Sequence, residues 1–202
     1  MADFIYIDNS NLFIEGKRVS AVVRGLAMNI YEAMQNRIID YDYSLNFGRL
    51  HEFIAGNDES KIARAVLFGS RPPPNDGIWT FAKRAGFELI LEDRNIANKE
   101  KKIDTGIVAA MTRDAYKKAD LVNDTMVLVA GDGDFVPAVR QLVEDGYKVE
   151  VVFWDHASKE LKAAATQFVS LNEHLEHLRL KYRTRRLNRV RAVIADRPPH
   201  TT

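Results

Sequence analysis

Four aspartates, Asp8, Asp104, Asp132 and Asp134, carry the residue type and the settings for cation chemistry. Two of them sit one residue apart in Gly131-Asp132-Gly133-Asp134, directly after the apolar run Thr125-Met-Val-Leu-Val-Ala130. Carboxylates gathered in one place repel and raise each other's pKa. A hard cation offsets that repulsion, and Mg²⁺ or Mn²⁺ takes all-oxygen ligands while keeping several waters. Such a centre suits metal-assisted phosphoryl chemistry, with one ion acidifying an attacking water and a second steadying the leaving oxygen. Gly131 and Gly133 would let the backbone come close to a phosphate. One aspartate after a strand is ordinarily a turn residue; the combination, with Asn11 close to Asp8, is what points to a site.

These residues need elements to hold them. The run at 125–130 has no polar alternation, the pattern of a strand buried on both faces of a parallel sheet. Phe135, Val136, Val139, Leu142 and Val143 then recur at helical spacing, with Pro137 suited to the first turn and Gly146 to the stop. Residues 2–7 form a second such strand ending at Asp8, with Asn and Ser available as caps for a following helix. Asp8 and Asp132 are thus both expected at the carboxyl ends of strands, where ligands collect in open α/β sheets. Ile107, Val108, Met111 and Ala115 predict a helix over 103–116, which places Asp104 in its first turn. Asp114, about 15 Å further along and rotated off that face, reads as a surface charge.

The rest of the chain supplies alternating elements. Helices are expected over 19–34 and 49–55, with a loop at 41–48. Strands are expected at 63–69, 87–91, 147–154 and 168–171, and further helices at 78–85 and 159–165. Arg71-Pro72-Pro73-Pro74 must be a loop, and the charged stretch 93–102 an exposed one. Leu171, Leu175, Leu178 and Tyr182 line one stripe of a terminal helix that Leu187, Val190 and Ile194 continue. Strands alternating with helices predict a parallel sheet with right-handed crossovers. The expected organisation is a domain over 1–171 and a basic helix and tail over 172–202.

Composition narrows the classes. A chain of 202 residues, 46% of them hydrophobic, can bury one substantial core. It has no cysteine, which excludes disulfides and thiolate metal sites and fits a reducing, cytoplasmic setting. No run reaches the length of a membrane span, and the first residues lack the features of a signal peptide. Residues 172–202 hold eight Lys or Arg against three Asp or Glu, a surplus of +5. The whole chain is +1, so residues 1–171 are net −4. An acidic body with a basic tail suits a polyanionic partner or, equally, a solvated helix face. Tail arginines would then bind that polyanion or keep an apolar helix in solution while Leu175 and Leu178 pack on the body or on a second copy, as a homodimer.

Taken together, Ile5-Tyr-Ile-Asp8-Asn-Ser-Asn11-Leu12, Lys101-Lys-Ile-Asp104 and Val129-Ala-Gly131-Asp132-Gly133-Asp134-Phe135 resemble the successive motifs of the NYN domain family, in the PIN-like nuclease superfamily. The resemblance spans residues 3–171, and its last motif is the most specific. It implies a PIN-like three-layer αβα fold with a mostly parallel sheet of five or six strands, plus a C-terminal helix. It also implies a Mg²⁺- or Mn²⁺-dependent ribonuclease that hydrolyses phosphodiesters with a metal-activated water. Its catalytic metal ligands would be Asp8, Asp104, Asp132 and Asp134, supported by Asn11, Gly131 and Gly133. Two positions depart from the pattern: Ala130 stands where the family usually has Ser, and no acid lies between Thr105 and Arg113.

The expected partner is RNA, single-stranded or structured, and no membrane. Arg71, Arg94, Lys99, Lys101 and Lys102 are the candidate substrate-binding cations. Tyr41, Tyr43 and Phe47 could stack bases, with local packing the more ordinary role; His156 reads as a hydrogen-bonded turn histidine. A dinucleotide enzyme is disfavoured because no Gly-x-Gly-x-x-Gly follows the first strand. A haloacid-dehalogenase-type phosphatase needs an aspartate two residues after Asp8, where Ser10 stands. The alternative from another class is a non-catalytic RNA-binding or scaffolding module that keeps a weak metal site.

Overall fold

A computed structural model describes residues 1–56, 58–71, 77–93 and 99–181. Its centre is the strand β1 (Asp3–Asp8), in which Phe4 and Tyr6 face one side and Ile5 and Ile7 the other, all buried. A strand covered on both faces must be central, and β1 pairs in parallel with both β2 (Ile62–Arg71) and β4 (Thr125–Val129). With β3 (Glu88–Asp93), β5 (Lys148–Phe153) and β6 (Gln167–Ser170), the sheet has the order β3-β2-β1-β4-β5-β6, every pair parallel. The order reverses between β1 and β4. That is the switch point, where two loops leave the sheet in opposite directions and open a crevice at the carboxyl edge.

Two apolar layers follow. On the Ile5 and Ile7 face lie α1 (Asn9–Val23), α3 (Phe47–Ala55), α4 (Gly77–Arg84) and the one-turn α8 (Leu175–Leu178), through Leu12, Leu50, Trp79 and Leu175. On the Phe4 and Tyr6 face lie α5 (Lys99–Lys117), α6 (Val136–Glu144) and α7 (Lys159–Ala164), through Ile107, Met111, Val139 and Leu161. The three-layer αβα class is as the sequence implies. Among the described residues, no helix is long and apolar enough to cross a membrane.

Several boundaries differ from expectation. The helix expected over 19–34 is two: α1 runs from Asn9 to Val23, and α2 (Ile30–Gln35) starts afresh from an Asn29 cap. Gly25, at φ 72°, turns the chain between them. α1 is also capped by Asp8 itself, not by the Asn or Ser that follow. α5 begins at Lys99, so part of the stretch read as loop is helical and Asp104 lies beyond the first turn.

The terminal stripe does not make one continuous helix in the described residues. A 3-10 turn at Asn172–His174 leads into α8, after which Arg179 is extended and bridges Leu45. Leu175 and Leu178 are buried against the body of the same chain. Tyr182, Leu187, Val190 and Ile194 lie outside the described residues.

The clearest correction is Asp114, which is fully buried. It accepts a hydrogen bond from the Tyr6 hydroxyl at 2.8 Å, pairs with Arg64, and has Lys118 Nζ 3.0 Å away. Helical rotation did turn Asp114 off the Asp104 face, but α5 is covered by the sheet on that side too.

Candidate active site at the carboxyl edge

Asp8 closes β1 and starts α1. Its backbone is extended (φ −81°, ψ 96°) and its Oδ1 accepts the Asn11 amide at 3.0 Å, so strand end and helix cap are one residue. Asp8 is only 7% exposed. Strand alternation puts it on the Tyr6 face, the face α5 covers. Phe68, registered with Asp8 in β2, lies 3.5 Å from where a Cβ on Gly106 of α5 would be. Asp104 is two residues nearer the helix start, so it lies roughly 3 Å further along the axis, at the sheet edge.

The Gly131–Asp134 turn belongs to the neighbouring strand. Ile7 is registered with Val129, which brings Asp8 and Ala130 level and sends the turn past Asp8. Asn11 then ties the two segments together: its Oδ1 accepts the Gly131 amide at 3.0 Å. The Gly131 carbonyl accepts the Ser158 amide at 2.9 Å, so the turn is held on both sides. Asp132 caps a 3-10 turn by accepting the Asp134 amide at 3.1 Å, and both aspartates are exposed.

The reason for Gly131 differs from the expected one. A Cβ there would fall 2.2 Å from two carbons of the Phe153 ring, so the residue is glycine because the core has filled its side-chain space. At Gly133 a built Cβ would meet the Ser158 side chain, its hydroxyl at 3.3 Å and its Cβ at 3.7 Å.

Among the described residues, no three acidic or histidine side chains converge closely enough to cage a metal. The donor chemistry nevertheless fits a hydrated hard cation, which needs one or two carboxylates and keeps its other ligands as water. Asn9, beside Asp8, adds a buried side-chain oxygen with no protein hydrogen-bond partner. A buried acceptor left unpaired is costly unless something outside the protein meets it.

The other sequence candidates separate clearly. Arg71 ends β2 and Lys99, Lys101 and Lys102 open α5, so their backbones reach the same edge; their side chains and all of Arg94 lie outside the described residues. Tyr43 and Phe47 are buried in the core, while Tyr41 is exposed. His156 pairs its Nε2 with Glu15 at 2.7 Å. Trp154 is buried and donates Nε1–H to the Leu12 carbonyl at 3.0 Å, bracing α1 against β5. Sequence reading missed two elements of the site: Asn11 as the clasp on Gly131, and Ser158 beyond its role as the α7 cap. Both contacts span strands, and nothing local signals them.

The NYN domain model matches residues 4–172. Among solved structures, a protein of unknown function, VPA0982 from Vibrio parahaemolyticus RIMD 2210633, is similar over 89% of this chain and 96% of that one. The identity is 19% and the TM-score 0.63, a likeness of fold. No curated protein matches the chain.

Proposed function

The chain belongs to the NYN domain family of the PIN-like nuclease superfamily, and from that premise we propose that it is a metal-dependent ribonuclease. The single observation that carries the reading is the clasp at the switch point, where Asn11 holds the Asp8 cap and the Gly131–Asp134 turn in one unit. Asp8, Asp104, Asp132 and Asp134 would hold Mg²⁺ or Mn²⁺ between them, directly and through water. When bound, the cation supplies Lewis-acid charge and acidifies a water for attack on phosphorus.

The chain's own residues do the positioning. Asp8 is fixed before any ligand arrives, because burial and the Asn11 amide leave it little freedom. Asp132 is held by its cap contact, while Asp134 projects from the start of a rigid turn toward solvent, where a phosphodiester must enter. Hydrolysis joins a water oxygen to phosphorus and breaks one phosphorus–oxygen bond to ribose. Cations at the β2 and α5 ends of the same edge would hold the flanking phosphates.

The test is cleavage of labelled single-stranded RNA with and without Mn²⁺ or Mg²⁺, beside Asp132→Asn. Cleavage should require the ion and fall by about a hundredfold or more in the variant, beyond the 10–100-fold typical of groups that only orient ligands. Cleavage indifferent to the substitution would overturn the reading. A second reading, a non-catalytic RNA-binding module, is favoured by the lack of a three-carboxylate cage among the described residues; RNA binding without cleavage in either ion would select it.

A further inference from the structure

An open groove of about 560 Å³ lies on the α1 side of the sheet, walled by Phe13, Ile78, Phe81, Arg84 and Leu180 among others. Its upper end belongs to the aspartate edge. Phe13 is one helical turn from Asn9 at the start of α1, and Ile78 is in the first turn of α4, the helix that follows the carboxyl end of β2. We propose that this groove binds unpaired bases of a single-stranded RNA whose backbone continues to that edge. The inference rests on the ribonuclease reading and names the form of RNA that the site accepts.

Three features select this occupant. Phe81 is a large ring left 64% exposed on the groove wall, a stacking face that every base can use. Arg84 is the one charged residue among the described lining, and Lys17 lies 4.8 Å over the Phe13 ring, so the charge on offer is positive and suits phosphate. Finally, Lys181 is exposed and directly follows Leu180 of the lining, so it adds to the positive charge beside the groove, and such charge attracts a polyanion. Bases inside a duplex keep their faces stacked on one another, so the occupant is single-stranded.

The experiment is fluorescence anisotropy of full-length protein in EDTA, with a labelled single-stranded RNA of about a dozen nucleotides and its duplex form. Because no metal is present, the result is independent of whether the chain cleaves. Phe81→Ala should weaken single-strand binding about tenfold and Phe81→Trp restore it, since stacking loss at one base has that size. Arg84→Gln should weaken binding and lower the salt slope by about one. Phe81 is exposed, so circular dichroism of the variant should match the parent. Unchanged single-strand affinity in Phe81→Ala, or duplex bound as tightly as single strand, would overturn the proposal. So would tighter binding after removal of residues 182–202, which would make the tail the groove's occupant.

Discussion

The strand β1 and the helix α5 pack together, and α5 carries an aspartate at each of two levels, Asp114 below and Asp104 above. At the lower level Tyr6 and Asp114 meet Arg64 and Lys118, and Arg64 reaches on to Glu88, with Nε–Oε2 at 2.8 Å. Burial alone would raise the Asp114 carboxyl, but the bonds from Arg64, Lys118 and Tyr6 outweigh it and hold it at about 2. At the upper level Asp8 ends β1 and Asp104 sits near the start of α5, toward the same edge as Asp132, whose described hydrogen-bond partner is a backbone amide. The lower aspartate is neutralised by the protein. In the upper group Asp132 and Asp134 are exposed on the turn at the switch point. On the proposed reading, the difference separates a carboxylate that holds the fold from carboxylates that would hold a ligand.

Arg64→Ala should break the lower level hardest. It strands the Asp114 carboxylate in a fully buried position, and removing one partner of a buried pair costs about 3–5 kcal/mol. Urea unfolding would read this as a fall in midpoint at unchanged slope. A loss under about 1 kcal/mol would mean that Lys118 and Tyr6 suffice, and the contrast between levels would lose its energetic basis.

A smaller effect should appear as a pH dependence. Because folding depresses the Asp114 pKa, its contribution is fully present above the unfolded value near 4. It fades as the pH falls toward about 2, since the unfolded chain takes up the proton first. Over that window wild type should lose roughly 2 kcal/mol through this group, about 1.4 kcal/mol for each pKa unit. Asp114→Asn starts less stable but should lack this part of the acid slope. Parallel acid slopes for the two proteins, measured by urea midpoints at several pH values, would assign the depression elsewhere.

The two levels were unequally legible in sequence. In the upper one the placement of Asp8 and Asp132 could be read because its signals are local: apolar runs buried on both faces, each ending in a carboxylate at a strand-to-helix turn. The lower one could not. Asp114 meets Tyr6 across 108 positions and Arg64 across 50, and helical rotation alone sends it off the Asp104 face without revealing what covers it. The Asn11–Gly131 clasp spans 120 positions and was hidden for the same reason. Gly131 was visible as a glycine, yet its cause, the Phe153 ring, sits on another strand. The helix break at Gly25 was missed because hydrophobic spacing continues across it. The sheet order also had to come from structure, and with it the fact that β1 and β4 flank the switch point.

The smallest expected stability effect makes the sharpest test of the upper level. Asp134 is exposed, and its contact with Asp132 is made by its backbone amide, which Asp134→Asn retains. Stability should therefore stay within about 0.5 kcal/mol of wild type, as for surface changes away from caps and cores. Cleavage of single-stranded RNA should still fall by about tenfold or more, since a neutral amide attracts a divalent cation far less than a carboxylate does. Thermal unfolding and the cleavage rate at saturating Mn²⁺ give the two readings on one preparation. If stability drops as it does in Arg64→Ala, Asp134 is part of the fold and the upper level resembles the lower one. If neither reading moves, Asp134 lies outside the site, and a cation would be held by Asp8, Asp104 and Asp132 without it.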